Sequence, residues 1–356
     1  MLDHLIVGFG LSGSALAFQL EKRGRSFKVF DEGKINSSKV AGGMMNPVIL
    51  KRFTLAWNAD EQLEIAKNFY SELEEKLGER FLQPVELYRR FSSAEEQNNW
   101  FQAADNKRLA PFLDTELKYD IAEALPAPHG FGRVRHTQRL DTQKFLGAYA
   151  SYLGSQDLLE TGAFNYEELV VTDHHVEYRG VKARNVIFCE GFGIKKNPFF
   201  GYLPLTGNKG EYIIIHAPEL RLQTTVKSSV FISPAGNDNY AVGATYSNFD
   251  KTPEPTSEAR EELETKLKKL ITVPYEVIHQ VAGIRPSTAD RRPLVGQHPR
   301  HSNLYCCNGF GSRGVIIAPA AGSYLLDLIE EGKTLPQEID LSRFTRKWFN
   351  SNLTGL

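Results

Sequence analysis

Six residues near the start of the chain, Gly8-Phe9-Gly10-Leu11-Ser12-Gly13, have the spacing with which backbone amides cradle a pyrophosphate. In such a turn the first glycine permits a tight reversal and the second lets backbone approach a ligand. The third lets a helix pack on a strand, so that the helix N-terminus meets phosphate charge. Asp31 follows 23 positions after Gly8, where a carboxylate accepts from a ribose hydroxyl. That carboxylate would repel a 2′-phosphate, which disfavours NADP and leaves NAD and FAD open. Gly8, Gly10, Leu11, Ser12, Gly13 and Asp31 are therefore candidate cofactor contacts.

Other groups add to this end of the chemistry. The small-residue loop Ser37-Ser38-Lys39-Val40-Ala41-Gly42-Gly43-Met44 would let a dinucleotide run past the first strand pair, through Ser38, Gly43 and Met44. Gly309-Phe310-Gly311-Ser312-Arg313-Gly314 joins a strand to an apolar helix, so Gly309, Gly311, Ser312 and Gly314 offer amides that stabilise negative charge on a reduced cofactor ring. Pro319 is expected near the first turn of that helix, where a missing N–H costs little. Gly191, after a buried strand, is a further candidate contact.

Arg285, held by Pro286, and Arg313, set among glycines, have forks that clamp a carboxylate, with ion pairing to an acid such as Asp290 as the alternative use. Tyr246 is a candidate lining residue. Asp173-His174-His175 reads as a turn, because neighbouring strand side chains point apart, and no metal is expected. A nucleophile elbow and a Walker loop are missing, which argues against hydrolases and nucleotidases.

The elements that must position these residues can be read from hydrophobic periodicity. Residues 4–33 form a βαβ unit. An amphipathic helix spans 60–77 and stops at Gly78, and another spans 141–153. Strands are expected at 87–91, 185–189, 211–215, 229–233, 240–244 and 303–307, with helices at 257–270 and from the last glycine cluster to about Glu330.

Composition sets the outer limits. At 356 residues the chain exceeds a single core, so two lobes are expected. A formal charge of −1 supplies no field toward nucleic acid or an anionic membrane. Cys189, Cys306 and Cys307 make no disulfide framework, and neither a leader nor a membrane span is evident, so a cytoplasmic protein is expected.

Together the motifs resemble the D-amino-acid oxidase superfamily of FAD enzymes, in particular glycine oxidase, sarcosine oxidase and the oxidase half of the bifunctional tRNA wobble-uridine modification enzyme. The resemblance covers almost the whole chain. It rests on Gly8–Gly13 with Asp31, Ala41-Gly42-Gly43-Met44-Met45-Asn46-Pro47, Pro204-Leu205 with Lys209-Gly210-Glu211, Gly283-Ile284-Arg285-Pro286-Ser287-Thr288-Ala289-Asp290 leading to Pro293-Leu294-Val295-Gly296, and Gly309–Gly314 with Ala318-Pro319-Ala320.

The resemblance implies an α/β (α+β overall) fold. A Rossmann-like FAD domain is built from discontinuous segments 1–80, 135–204 and 284–356, beside an antiparallel-sheet substrate domain of 81–134 and 205–283. It also implies that Arg285 holds a substrate carboxylate, with Arg313 and Tyr246 near the pocket. The expected reaction oxidises the C–N bond of a small carboxylate-bearing amine, an amino acid or N-alkyl amino acid. Hydride passes to flavin N5, and the imine hydrolyses.

Sarcosine-oxidase-like members attach FAD through a cysteine on the strand that here holds Ala282-Gly283-Ile284, so noncovalent FAD is expected. Their oxygen-activating lysine lies on the strand that here reads Tyr240-Ala241-Val242-Gly243, so the acceptor is oxygen or another electron acceptor. Glu190 stands where the family has a small residue or Thr. A carboxymethylaminomethyl-modified tRNA uridine is the rival substrate, although nucleic-acid binding is not expected from the charge. A noncatalytic dinucleotide-binding protein is the rival class.

Overall fold

In the computed structural model, which describes residues 1–344, strand Leu2–Val7 leads into helix Leu11–Lys22 and the chain returns as the parallel strand Phe27–Asp31. The glycine spacing is enforced by contact. Gly8 has φ +98°, and a Cβ there would lie 2.6 Å from the Cys189 carbonyl oxygen. A Cβ on Gly13 would lie 1.9 Å from the carbonyl oxygen of Gly8.

This unit belongs to an eight-stranded sheet that also takes Leu159–Thr161, Leu169–Val171, Val176–Tyr178, Val181–Phe188, Leu294–Gln297 and Leu304–Asn308. Its central strands are parallel and buried on both faces, as such strands must be when both faces are covered. Helices Leu11–Lys22, Ala59–Leu77, Thr142–Ser155 and Gly314–Glu331 pack with one another against one face. Gly78 ends the second of these at φ +67°, in the left-handed conformation that glycine adopts without strain. The Asp173–His175 run is the turn between Leu169–Val171 and Val176–Tyr178, and among the described residues no metal-holding cluster occurs. No described helix is long and apolar enough to cross a membrane.

The second sheet has seven strands in the order Glu276–Arg285, Asn208–His216, Asn239–Gly243, Phe231–Gly236, Thr225–Lys227, Leu87–Arg90, Phe131–Val134. All neighbours are antiparallel except Thr225–Lys227 and Leu87–Arg90, which run parallel where two distant chain segments meet. Ile213, Ile215, Val226, Ile232 and Val242 pack on one face with Leu263 and Leu267 of helix Ser257–Leu267. Strand alternation places Tyr212, Lys227, Phe231 and Arg285 on the opposite face.

The last long helix corrects the reading of Pro319. Helix Gly314–Glu331 carries that proline in its second turn, where it deprives the Val315 carbonyl of an amide donor. The Tyr70 hydroxyl, on helix Ala59–Leu77, donates to that carbonyl at 2.9 Å. Tyr70 is only 1% exposed, so water cannot take its place. Tyr70→Phe should therefore destabilise the protein by about 1–3 kcal/mol, the cost of a buried unsatisfied carbonyl. Urea unfolding checks this; an unchanged midpoint and slope would mean the carbonyl finds another donor.

Candidate active site

The two glycine clusters, almost 300 residues apart in sequence, are neighbours in space. The Ser12 hydroxyl donates to the Cys307 carbonyl at 2.6 Å, and a Cβ on Gly314 would lie 3.0 Å from Leu11 Cδ1. Two helix starts thus lie side by side. The Leu11 amide donates to Ser38 Oγ at 3.0 Å, whereas the amides of Ser12 and Gly13 have no acceptor inside their helix. A Cβ on Gly10 would lie 2.7 Å from Ser38 Oγ, so the bare glycine admits the 36–40 turn. The Asn36 side-chain oxygen pins that turn by accepting from the amides of Ser38 and Lys39 at 3.0 and 3.1 Å.

Asp31 ends its strand with both carboxylate oxygens engaged, accepting from the Phe9 amide at 2.7 Å and the Gly33 amide at 2.8 Å. Those bonds aim the carboxylate and leave lone pairs for further donors. Gly43 has φ +69°, and a Cβ there would meet the Leu140 carbonyl oxygen at 1.8 Å; Met44 continues as a strand paired with Arg139.

Asn308 is a residue that motif reading missed. Its side-chain amide donates to the Gly191 carbonyl at 2.8 Å, and its side-chain oxygen accepts from the Gly309 amide at 2.9 Å, joining the ends of two parallel strands. Gly309 and Gly311 have φ +78° and +57°, and the Gly311 amide donates to the Pro286 carbonyl at 3.0 Å. That bond ties this turn to the segment carrying Arg285. Ser312 is exposed.

Glu190 has a structural role. It is the N-cap of the short helix Gly191–Lys196, its carboxylate accepting from the Tyr166 hydroxyl and, at 2.7 Å, from the Asn197 side-chain amide. Burial pushes the carboxyl up to about 6, against the pull of those two donors. Its bonds hold the chain next to Gly8.

The two arginines are used differently. Arg313 is half-buried, and desolvation draws its pKa down to about 10; its fork donates to the carbonyls of Asn46 at 2.8 Å and Val48 at 3.5 Å. It therefore fastens the 46–48 segment to the start of helix Gly314–Glu331. Arg285 ends its strand and folds back over Gly210, where a Cβ would lie 1.9 Å from Nη2. Its Nη1 donates to Asn208 Oδ1 at 2.8 Å, and its guanidinium lies 5.4 Å from the ring centre of Tyr246.

Among the described residues no carboxylate pairs with Arg285; Asp290 pairs with Arg343 at 3.2 Å instead. Burial holds the Arg285 pKa below its usual value, while Tyr246 opposes that shift. A half-buried cation with one arm uncommitted is a receptor for an anion. A cleft of about 720 Å³ lined by Lys51, Arg52, Glu96 and Arg108 lies elsewhere and shares none of these residues.

Gly210 matters because the atom that its missing Cβ would strike is the far end of a flexible chain. Gly210→Ala should leave the fold intact and displace the Arg285 guanidinium. The expected result is a small change in melting temperature and at least about a tenfold, 1.4 kcal/mol, loss of affinity for a small carboxylate such as methoxyacetate. Titration calorimetry reads this, and full affinity in the variant would show that Arg285 does not need that seat.

A parallel sheet with a glycine turn and an acidic strand end, joined to a second sheet that presents a half-buried arginine with no acid partner among the described residues, defines a dinucleotide-binding enzyme. More narrowly, the chain belongs to the FAD dependent oxidoreductase (DAO) family, whose model matches residues 3–328. The glycine oxidase of Geobacillus kaustophilus (strain HTA426) is 26% identical over 386 residues, covering 96% of each chain. That of Bacillus subtilis (strain 168) is 23% identical over 379 residues, covering 97% of each. The crystal structure of glycine oxidase from Geobacillus kaustophilus matches with a TM-score of 0.79 at 22% identity, covering 96% of this chain and 97% of that one.

The residues present fit FAD. A tight turn at Gly8, Gly10 and Gly13 that leaves no room for a Cβ, amides at two adjoining helix starts and a fixed carboxylate at Asp31 supply the donors and acceptors that a pyrophosphate, a ring and a ribose require.

Proposed function

We propose that this protein binds FAD without a covalent bond and oxidises the C–N bond of a small amine that bears a carboxylate. The observation carrying this is Arg285, half-buried on the open face of the second sheet, lying over Gly210 and paired with no acid among the described residues. Segments 1–80, 135–204 and 284–356 would hold the cofactor, the last including residues 345–356, which lie outside the described ones. Segments 81–134 and 205–283 would hold the substrate.

In this reading Gly8, Gly10, Leu11, Ser12, Gly13, Asp31, Ser38, Gly43, Met44 and Gly191 line the adenine and pyrophosphate end. Gly309, Gly311, Ser312 and Gly314 surround the ring. The flavin supplies the acceptor for the hydride that leaves the amine carbon. Arg285 takes the carboxylate in a bidentate pair and so fixes the amine carbon in one place; positioning of this kind supplies most of the rate. Tyr246 covers the guanidinium from the solvent side, and Arg313 acts through the 46–48 segment that it holds. The imine product hydrolyses in water. Oxygen or another acceptor completes the cycle.

Noncovalent binding is supported by the cysteines. Cys306 and Cys307 are buried within strand Leu304–Asn308, and burial pushes the Cys307 thiol up to about 12, far from the thiolate that attachment would require. Three buried free cysteines also favour a cytoplasmic setting. The test is a visible spectrum followed by anaerobic titration with amino acids and N-alkyl amino acids. Bleaching by a carboxylate-bearing amine, and a yellow supernatant after acid precipitation, are expected. Bleaching by none of them would refute the reaction, and colour in the pellet would refute noncovalent binding.

A further inference from the structure

The open face of the second sheet carries more positive charge than one carboxylate needs. Lys227, Phe231, Gly243 and Tyr212 are successive cross-strand partners on four strands. A Cβ on Gly243 would lie 2.6 Å from the Cβ of Tyr212 and 3.1 Å from the Phe231 ring, so the two aromatic side chains close over the glycine, with ring centres 6.5 Å apart. Lys227 Nζ lies 5.8 Å from the centre of the Phe231 ring. Beyond Tyr212, two residues back along its strand, the Arg285 guanidinium lies over Gly210. The result is an aromatic floor with a cation at each end.

Neither cation has a counter-ion among the described residues. Arg89, cross-strand from Lys227, takes the nearby acid Glu96 for itself and donates to the carbonyls of Lys227 and Ser228. Burial, then the like charges of Arg89, Lys266 and Arg285, press the Lys227 ammonium down to about 8. At neutral pH it remains mostly protonated, inside a partly desolvated site and without an acid. A charge so placed is costly unless an anion joins it.

We infer that Lys227 receives a second acidic group, so that the substrate of this site is an amine carrying two carboxylates, one held by Arg285 and the other by Lys227. The inference rests on the proposed function and narrows it from acidic amines in general to diacids. The aromatic floor of Tyr212 and Phe231 then lies under the methylene groups between the two acids. A monoacid fills one receptor and leaves the other cation bare, and that difference is the source of selectivity.

Two ligand pairs test this, each differing by one carboxylate: the unreactive diglycolate against methoxyacetate for binding, and N-(carboxymethyl)glycine against N-methylglycine for turnover. On the flavin-loaded protein, diglycolate is expected to bind at least about tenfold tighter than methoxyacetate, and the diacid amine to show at least a tenfold higher kcat/KM. Lys227→Met should bring both ratios close to one, and Lys227→Arg should restore them. Equal ratios in the wild-type protein would overturn the inference, as would ratios that survive Lys227→Met. If diglycolate binds with the Lys227-dependent advantage but no amine bleaches the flavin, the diacid pocket stands and the proposed reaction falls. If both amines react without preference, the reaction stands and the second receptor falls.

Discussion

Replacing Arg285 with alanine should lower kcat/KM for a carboxylate-bearing amine by about a thousandfold, roughly 4 kcal/mol, while leaving flavin content unchanged. Truncating one member of a buried, hydrogen-bonded charge pair costs about 2–5 kcal/mol, much of it from the partner left bare. Here the bare partner would be the substrate carboxylate. Arg285→Lys should recover little, because an ammonium has no fork to span the carboxylate while also holding Asn208 Oδ1 at 2.8 Å. Steady-state kinetics decides the matter, and a loss below tenfold would remove Arg285 from the role of anchor.

The second large effect belongs to Gly13. Its missing Cβ would lie 1.9 Å from the carbonyl oxygen of Gly8, which is backbone and has no rotamer to yield. Gly13→Ala should force the helix start away from the strand and give protein with less than about a tenth of the wild-type flavin, since a close backbone approach to the pyrophosphate depends on this turn. Gly10→Ala should be milder, because its Cβ meets the rotatable Ser38 hydroxyl at 2.7 Å. The ratio of flavin to protein absorbance measures both. Equal occupancy in the two variants would show that the carbonyl contact is not what matters.

Features whose cause is local were legible in the sequence. The glycine turn, the strand after it and the Gly78 stop depend on residues a few positions apart, and they stand as expected. The alternating strands of the second sheet were found with ends off by up to three residues, such as Asn208–His216 for 211–215. Features set by distant partners were not legible. Pro319 looked harmless near a helix start; its true place in the second turn is tolerable because Tyr70, 245 residues before Val315, supplies that residue's carbonyl with a hydroxyl. The parallel junction of Thr225–Lys227 with Leu87–Arg90 has no sequence signature, and it sets Lys227 beside Arg89. Gly210 was visible as part of a motif, yet its use as a seat for Arg285 appears only when the strands Asn208–His216 and Glu276–Arg285 are paired. Asn308 gave no signal because its two bonds join segments 117 residues apart and its immediate neighbour.

The bond from Ser12 to the Cys307 carbonyl spans 295 positions. A chain leaving the ribosome therefore presents its first glycine turn long before the strand and helix start that lie beside it have been made. Contacts of such sequence separation are late and slow to form. A ligand that needs both glycine turns must wait until the two segments have paired, so its capture follows that pairing and does not nucleate it.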